Sequence, residues 1–442
     1  MPWKRLWNRK YALMSYIRGS LWIVPFFAML LNWVFNHITN AVGRWLITTG
    51  RIDETTAFYG VSITGAQSLL GNSVSASLSF LVFTFASLLV AIQVAGGQYT
   101  PRIIATTLLR DNTIRFVVGY LVFSWLFAAS LAMRMGSETV EQFNTFIAAV
   151  LGLLSVVVFL YLIDYAARLL RPVSIVQRVG KSGIAVIESV YPRPTTGAQP
   201  IASPGRRASP DRTVVHAGRS GIVVAADLTG LAQQARRAKG MIEFVPQVGD
   251  FLAVDEPLFR LYGGASAIDD DALRSAVALG PERTMEQDPT FAFRILVDIA
   301  IKALSAAIND PTTAVVAIDQ LHRLLRLVGL RDLHNDEIRD DTGEVRLVIR
   351  TPNWEDFVHL ACTEIRHCGA GSVQIMRRMN SMLENLIHTL PPQRHAELRQ
   401  QLELFSRAAE QSYTFPEDLA LARIPDPQGL GGTLGVQPAS QR

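Results

Sequence analysis

The chain has 442 residues, of which 49% are hydrophobic and 18% are charged, and its formal net charge is +4. This length exceeds that of one ordinary domain and leaves room for a membrane part and one or two soluble parts. The basic residues form no long run and no helix interleaved with aromatics, so the charge does not indicate a nucleic-acid partner. Two cysteines, Cys362 and Cys368, are too few for a disulfide framework and fit a reducing cytoplasm.

Long uncharged apolar runs lie before Arg168, and a helix needs about 20 such residues to cross a bilayer. Residues 74–95, 116–133 and 143–163 meet this requirement or nearly do. A first span over residues 21–35 is shorter, and its extension brings in Arg18, which can reach the interface from a helix end. We therefore predict about four transmembrane helices in a membrane domain of residues 1–170.

Basic residues in the short loops predict the orientation of these helices. They are concentrated before the first span, between the second and third, and after the fourth, whereas the opposite loops are more acidic. Both termini are thus expected in the cytoplasm, and the lipid bilayer is the first expected partner of a multi-pass protein. The basic residues concerned are Lys4, Arg5, Arg9, Lys10, Arg102, Arg110, Arg115, Arg168, Arg171, Arg178 and Lys181.

Small and hydroxyl side chains follow one face of the second predicted span. If that helix began at Gly60 it would be about 57 Å long, so we expect a break near Gly65 or Gly71, or a projection beyond the bilayer. Such side chains favour close helix packing, and a pore-lining stripe is the alternative. No ionisable residue lies in mid-span, which weakens the case for an ion relay. The candidate polar stripe is Ser73, Ser77, Thr84 and Ser87.

The residues after the last span predict a cytoplasmic α+β domain, in which a small β unit precedes a helical subdomain. The β-rich unit covers residues 171–265 and contains a flexible insertion at 192–212. A mainly helical domain follows at 266–424, and a disordered tail at 425–442. Strands are predicted at residues 221–226, 241–246, 251–254, 258–262 and 344–350, and helices at 228–239, 272–279, 290–308, 312–328, 354–366, 372–390 and 394–412.

The phrase RTMEQDPTFAFRILVDIAIKALSAAINDPTTAVVAIDQL holds the candidate site. Arg294, Asp298 and Lys302 are neighbours at helical spacing, and Asp310 with Pro311 is typical of a helix N-terminus. A charge ladder and a capped turn account for these residues, and the alternative is a pocket that faces a small molecule or a protein. The candidate residues are Asp298, Lys302, Asn309, Asp310, Thr312 and Thr313.

Neither a catalytic set, nor a cofactor site, nor a metal site is predicted. His359 and Cys362 share one helix face, but His367 and Cys368 turn away from it, so four zinc ligands do not converge. The sequence also contains no Walker A loop, no dinucleotide fingerprint and no nucleophile elbow.

Several phrases together resemble one bacterial family of predicted membrane proteins, domain of unknown function 2254. They are FLVFTFASLLVAIQVAGGQYTPRII, RSGIVVAADLTGL, GDFLAVDEPLFRL, RTMEQDPTFAF and ALSAAINDPTTAVVAIDQL, in order within residues 11–390. QDPTFAF and INDPTTA are the most specific parts, while residues 192–212 and Ala306–Ala307 depart from the family pattern. The resemblance implies residence in a bacterial inner membrane and a cytoplasmic C-terminal domain, and it implies no activity.

Three functions follow from these features. A membrane-anchored sensor or scaffold that binds a small molecule or a protein is preferred, because the motifs lie in the soluble half and the spans lack charge. The alternative is an oligomeric channel or transporter gated by its cytoplasmic domain. A membrane-bound enzyme ranks last. A homo-oligomer is expected in either of the first two cases.

Overall fold

The computed structural model describes residues 7–49, 61–98, 111–135, 141–169, 171–195, 209–333 and 336–431. The chain divides into two compact units. We call Tyr16–Gly97 with Ile103–Arg171 the membrane unit, and Met1–Ser15, Gln98–Arg102 and Pro172–Arg442 the C-terminal unit.

The membrane unit consists of long helices. Three of them are long and apolar enough to cross a membrane among the described residues, namely Ile63–Val94, Asn112–Arg134 and Gln142–Leu169. About four spans are predicted from the sequence, and the helix in the position of the first span is not among these three. The helices of this unit are α2 (Ile23–Thr48), α3 (Ile63–Gln98), α4 (Asn112–Arg134) and α5 (Gln142–Leu169).

Side-chain contacts establish the directions of these helices. Val24 of α2 lies beside Gly119 of α4, and Asn36 bonds to Arg134, so α2 and α4 run parallel. Tyr165 at the end of α5 donates to Asp111 at the start of α4, so α5 runs antiparallel to α4. Helices α3 and α5 run parallel, since Ser73 approaches Gly152 and the rings of Phe80 and Phe159 stack.

Helix α3 is continuous from Ile63 through Gly65 and Gly71. The 32 residues of its apolar part would extend about 48 Å, which exceeds a hydrocarbon core of about 30 Å. The sequence predicts either a break near Gly65 or Gly71 or a projection of the helix beyond the bilayer. The break does not occur, because neither glycine interrupts the backbone hydrogen bonding.

The C-terminal unit contains residues 7–15 of an N-terminal helix and two β-sheets. The elements are α1 (Trp7–Gly19), β1 (Arg212–Val215), β2 (Gly221–Ala226), α7 (Leu228–Arg237), β3 (Gly240–Phe244), β4 (Phe251–Leu252), β5 (Pro257–Gly263), α8 (Asp270–Arg274), β6 (Val277–Gly280), β7 (Glu337–Arg339) and β8 (Val345–Val348). A five-stranded sheet has the order β1-β5-β3-β8-β7, and a three-stranded sheet has the order β4-β2-β6. All neighbours are antiparallel except β3 and β8, which pair in parallel through Ile242 and Leu347.

The sheets draw on more of the chain than residues 171–265. Strand β6 was predicted as the end of a helix, but α8 stops at Arg274 and Val277–Gly280 pairs with β2. Asp269 caps α8, because its side chain accepts from the backbone N–H of Ala272. Strands β7 and β8 come from between the later helices, and Leu347 joins the core that Val223, Ile242 and Phe259 form.

A layer of helices completes the C-terminal unit. Helix α6 packs on α9 and α10 through Gly183, where an added Cβ would lie 2.7 Å from Ala292. The ring of Phe293 in α9 lies 5.1 Å from that of Phe357 in α11. These helices are α6 (Pro172–Val190), α9 (Pro289–Ala303), α10 (Pro311–Gly329), α11 (Trp354–Gly369), α12 (Val373–Thr389), α13 (His395–Ser412) and α14 (Pro416–Arg423).

The chain after α14 is hydrogen-bonded to α12. Arg377 donates to the carbonyl of Ile424 at 3.0 Å, and Gln374 donates to that of Gly429 at 2.6 Å. Asp426 accepts from the backbone of Gln428 and Gly431. Of the predicted tail, residues 425–431 therefore have defined contacts, and 432–442 lie outside the described residues.

Candidate functional site

Helix α9 begins at a buried carboxylate. Oδ1 of Asp288 accepts from the backbone of Thr290 and Phe291, at 3.0 and 3.2 Å, and from the Thr290 hydroxyl at 2.6 Å. Its Oδ2 lies 3.2 Å from Nε of Arg283. Burial raises the pKa of the Asp288 carboxyl, although Arg283 and the hydrogen bonds act in the opposite direction. Asp288 is therefore both the N-cap of α9 and the acidic partner of a buried ion pair.

The residue before this cap attaches α9 to the sheets. The backbone N–H of Ala226 in β2 donates to Oε1 of Gln287 at 3.0 Å. On the other side, Gly249 has a φ of 97°, and an added Cβ would lie 2.6 Å from Oδ2 of Asp288. Only glycine fits this approach without strain. The QDPT phrase is thus the joint between the sheets and the helical layer.

A cavity of about 270 Å³ lies at this joint. Its walls are mainly apolar, and its polar groups come from Ser189, Gln247, Gln287, Arg350 and Thr351. Such a composition, apolar walls with a few polar groups, is that of small-molecule sites. The apolar lining is Val190, Leu228, Phe244, Val248, Pro289, Ile338, Ile349 and Pro352.

Next to the cavity, hydrogen bonds hold the loop that follows β8. The hydroxyl of the fully buried Tyr191 donates to the carbonyl of Pro352 at 3.2 Å, and burial raises the Tyr191 pKa. Thr351 donates its hydroxyl to Oδ1 of Asp336. The loop is therefore fixed on both sides, which makes the cavity a formed feature of the fold.

The candidate residues on α9 take part in an ion-pair cluster. Nε of Arg294 donates to Oδ1 of Asp298 at 2.8 Å, and its two terminal nitrogens donate to both carboxylate oxygens of Glu364 in α11. The hydrogen bond from Arg294 holds the pKa of Glu364 below its usual value. The charge ladder therefore joins α9 to α11, and Lys302 lies half-buried one turn beyond Asp298.

The candidate residues at the next turn form a helix cap. Asp310 is the N-cap of α10 with Pro311 at its first position, as predicted, and its Oδ1 accepts from the Thr313 backbone at 3.1 Å. The Thr313 hydroxyl also donates to Asp310. Asn309 has a φ of 48° and is exposed, as is Thr312. Asp298 thus belongs to an ion-pair cluster, and Asp310 and Thr313 belong to a helix cap. None of the six candidates is among the residues that line the cavity.

The candidate stripe of α3 lies on the inner side of the helix. Ser77 and Thr84 are buried, and Ser73 and Ser87 are half-buried. Thr84 donates to the carbonyl of Phe80 at 2.7 Å, and Ser87 donates to that of Thr84 at 3.0 Å. These two hydroxyls are satisfied within their own helix.

A second polar stripe, on α2, is buried against α4 and α5. Asn32 donates to the carbonyl of Phe123 at 3.0 Å, and Asn36 donates to Asn32. Arg134 and Ser130 of α4 donate to Oδ1 of Asn36 at 2.9 and 3.2 Å. At the next turn, Asn144 of α5 donates to Asn40 at 2.6 Å. We call Asn32, Asn36, Asn40 and Asn144 the asparagine seam.

The two cysteines differ in environment. Cys362 is fully buried, and burial raises its thiol pKa to about 12, whereas Cys368 is exposed. Among the described residues, no group of three or more His, Cys, Asp or Glu side chains is arranged to hold a metal ion.

The cavity and the asparagine seam were not among the predicted sites. Part of the cavity could be inferred from the QDPT phrase, because Gln287 and Pro289 line the cavity. The remaining lining residues come from distant segments of the chain. The signal for the seam was the spacing of Asn32, Asn36 and Asn40 on one helix face. Neither pattern could be assigned to a site without knowing which elements pack against the helix.

The chain is similar in sequence to one protein family and to several known proteins. A sequence profile described as "Predicted membrane protein (DUF2254)" matches residues 18–385. The uncharacterized proteins Mb1321c of Mycobacterium bovis and Rv1290c of Mycobacterium tuberculosis are each 24% identical over 453 residues, which cover 98% of this chain and 85% of theirs. No solved structure matches the chain significantly.

Proposed function

The chain belongs to the DUF2254 family of predicted membrane proteins, and from that premise we propose that it is a membrane-anchored sensor. In this proposal the C-terminal unit binds a small molecule in the cavity at the QDPT joint, and the membrane helices receive the signal. A protein partner on the same unit is the scaffold form of the proposal, but a formed cavity favours a small molecule.

One observation carries the proposal, namely that β2 connects the cavity with α1. At one end of β2, the Ala226 N–H bonds to the cavity residue Gln287. A register shift between Val223 and Ala225 then turns Val224 and Ala225 toward Trp7 and Tyr11 of α1. A change at Gln287 therefore reaches α1 through a single strand.

Helix α1 crosses the boundary between the two units, which falls between Ser15 and Tyr16. It is attached to the sheet by its apolar contacts and by the Asn8 N–H, which donates to the carbonyl of Ser275 at 3.2 Å. It ends at Gly19, and α2 begins at Ile23. A shift of α1 on the sheet would thus pull on the first helix of the membrane unit.

The test is a screen of water-soluble fragments against the full-length protein in lipid nanodiscs, read by thermal unfolding. Ser189→Trp places an indole at the exposed rim of the cavity, and Lys181→Trp is the matched control on the exposed face of the same helix. We expect fragments that stabilise the wild type and the control but not Ser189→Trp. If no fragment stabilises the wild type, the proposal is wrong.

Hydrogen exchange distinguishes a sensor from a passive binder. Bound fragment is expected to slow amide exchange in α1, including Asn8, as well as around the cavity. If the fragment slowed amide exchange only around the cavity, the C-terminal unit would still bind a small molecule, but the proposed signalling through α1 would be wrong.

The finer topology is part of this proposal. We propose that α2 is a fourth span, that both termini are cytoplasmic, and that the protein lies in a bacterial inner membrane. The 26 residues of α2 would extend about 39 Å, enough to cross a bilayer. Its buried residues Asn32 and Asn36 are bonded to α4, whereas Phe27, Leu31 and Trp33 are exposed as lipid-facing residues are.

Native Cys368 is a reporter for this topology. An impermeant maleimide should leave it unlabelled in intact cells and label it after permeabilisation, while buried Cys362 stays unreactive. Thr49→Cys in a Cys368→Ser background, at the exposed end of α2, should be labelled in intact cells. Labelling of Cys368 in intact cells would contradict the orientation.

The asparagine seam supports the alternative, an oligomeric channel, because polar side chains inside a membrane bundle often mark a pathway. Against it, the hydroxyls of Thr84 and Ser87 are satisfied within their own helix. The alternative predicts potassium flux in proteoliposomes that Ser77→Leu abolishes and the exposed Ser75→Leu preserves. Equal flux in both variants would argue against a path along α3.

A further inference from the structure

The lining of the cavity carries information about the charge of its ligand. Arg350 is the one residue with an ionised side chain among the lining residues, and it is exposed at the cavity edge. The nearby carboxylates have other partners: Asp288 faces Arg283, and Asp336 accepts from Thr351. The cavity therefore presents one positive charge and no negative charge.

The side-chain amide of Gln287 provides a hydrogen-bond donor, and its contact with β2 determines how the amide is oriented. The group that it faces in β2 is the N–H of Ala226, which can only donate, so the side-chain atom there must be the oxygen. The amide nitrogen is then the atom left for a ligand. A guanidinium and an amide N–H₂ are both donors, and donors suit an acceptor group such as a carboxylate.

The walls and the volume restrict the rest of the ligand. Phe244, Val248 and Ile349 are among the apolar walls, which require an apolar body. The volume of about 270 Å³ is below the range of roughly 300–1,000 Å³ that is common for drug-sized ligands. A single arginine also suits a monoanion better than a phosphate or a nucleotide, whose greater charge calls for more cations.

We propose that the cavity binds a small carboxylate with an apolar body, held by Arg350 and by the side-chain amide of Gln287. This inference rests on the proposed sensor function and names the ligand class of the same cavity.

Three probes of similar shape and different charge test it: phenylacetate, 2-phenylethanol and 2-phenylethylamine. Their binding is measured by calorimetry with the full-length protein in nanodiscs of neutral lipid, and empty nanodiscs correct for partition into the bilayer. We expect phenylacetate to bind roughly tenfold tighter than the alcohol, because a hydrogen bond to a charged group contributes more than a neutral one. The amine should bind weakest.

Variants separate this inference from the proposed function. Arg350→Gln should remove the preference for phenylacetate over the alcohol, and Arg350→Lys should retain part of it. Arg219→Gln, an exposed arginine away from the cavity, should leave the preference unchanged. Ser189→Trp should weaken the binding of all three probes.

Two results would overturn the carboxylate assignment: equal binding of acid and alcohol, or an unchanged preference in Arg350→Gln. If both probes still fail to bind Ser189→Trp, the cavity keeps its binding role and only the ligand class is wrong. If none of the three probes binds the wild type, the assignment also fails, and the fragment screen decides separately on the sensor function.

Discussion

The two units differ in the kind of surface that they expose. In the membrane unit, large apolar side chains point outward, and Trp33 and Leu153 are 68% and 71% exposed. In the C-terminal unit, Phe293 and Phe405 are fully buried. A bilayer covers the first kind of surface, and a folded core covers the second. The comparison teaches that a long apolar helix can turn its polar face inward, as α2 does with Asn32 and Asn36.

The asparagine seam differs from the buried ion pairs of the C-terminal unit, although the membrane unit also buries two charged residues, Asp111 and Arg115, at the start of α4. The seam of the membrane unit is built mainly from neutral amides, with Arg134 at its end. The C-terminal unit buries ionised groups, since Asp288 and Arg378 are 2% and 6% exposed and each faces a partner. Removing one partner should therefore cost more in these ion pairs than in the asparagine seam.

The largest expected effect is that of Asp288→Ala. It removes the cap of α9 and leaves Arg283 without its partner, so we expect a loss of about 3 kcal/mol in the free energy of unfolding. For a unit of this size, that lowers the unfolding temperature by roughly 5 °C. Circular dichroism of the full-length protein in detergent measures it. Asp341→Ala, whose side chain is 82% exposed, is the control and should change little; equal losses would refute the special role of Asp288.

A smaller loss is expected where helices touch through glycine. In Gly183→Ala, the new methyl group would lie 2.7 Å from Cβ of Ala292 and 3.1 Å from Leu324, so α6 must move away from α9 and α10. Such overpacking costs about 1–3 kcal/mol. Gly371→Ala meets nothing within 4 Å and serves as the control in the same melting experiment. A neutral Gly183→Ala would mean that α6 is loosely packed.

In the membrane unit the corresponding effect should be smaller still. Asn36→Leu removes the amide that accepts from Arg134 and Ser130, and hydrogen bonds between membrane helices contribute roughly 0.6–1.7 kcal/mol. Equilibrium unfolding in mixed micelles of sodium dodecyl sulfate measures the loss. Ser79→Ala, an exposed serine bonded within its own helix, should have little effect. If Asn36→Leu lowered the free energy of unfolding by more than Asp288→Ala does, the asparagine seam would contribute more to stability than the buried ion pair, contrary to this expectation.

The elements that sequence predicts best are those with a complete local signal. Strand β2 has the predicted bounds, because an apolar run between turn residues needs no distant partner to identify it. Asp310 with Pro311 likewise predicts the start of α10. In contrast, β6 follows the acidic first turn of α8, and the local helix signal concealed a strand that exists only because β2 lies beside it.

The candidate site was predictable only in part, for the same physical reason. The QDPT phrase contributes Gln287 and Pro289 to the cavity, but Ser189 and Arg350 come from segments far along the chain. No spacing rule links such segments. The polar residues that did stand out, Asp298 and Asp310, stood out because ion pairs and caps are local patterns, and the structure places them in those roles.

The smallest expected effect is a dependence on pH at Asp288. Burial raises the pKa of its carboxyl in the folded protein, so the folded state binds the proton more readily than the unfolded state does. The stability of the wild type relative to Asp288→Asn should therefore rise as pH falls through the folded pKa toward the ordinary carboxyl value, and should be lower and constant at neutral pH. Melting temperatures of both proteins between pH 4 and pH 7 measure this difference. A difference that falls with decreasing pH would instead mean that Arg283 outweighs burial, and the Asp288 pair would then resemble an exposed salt bridge more than a buried one.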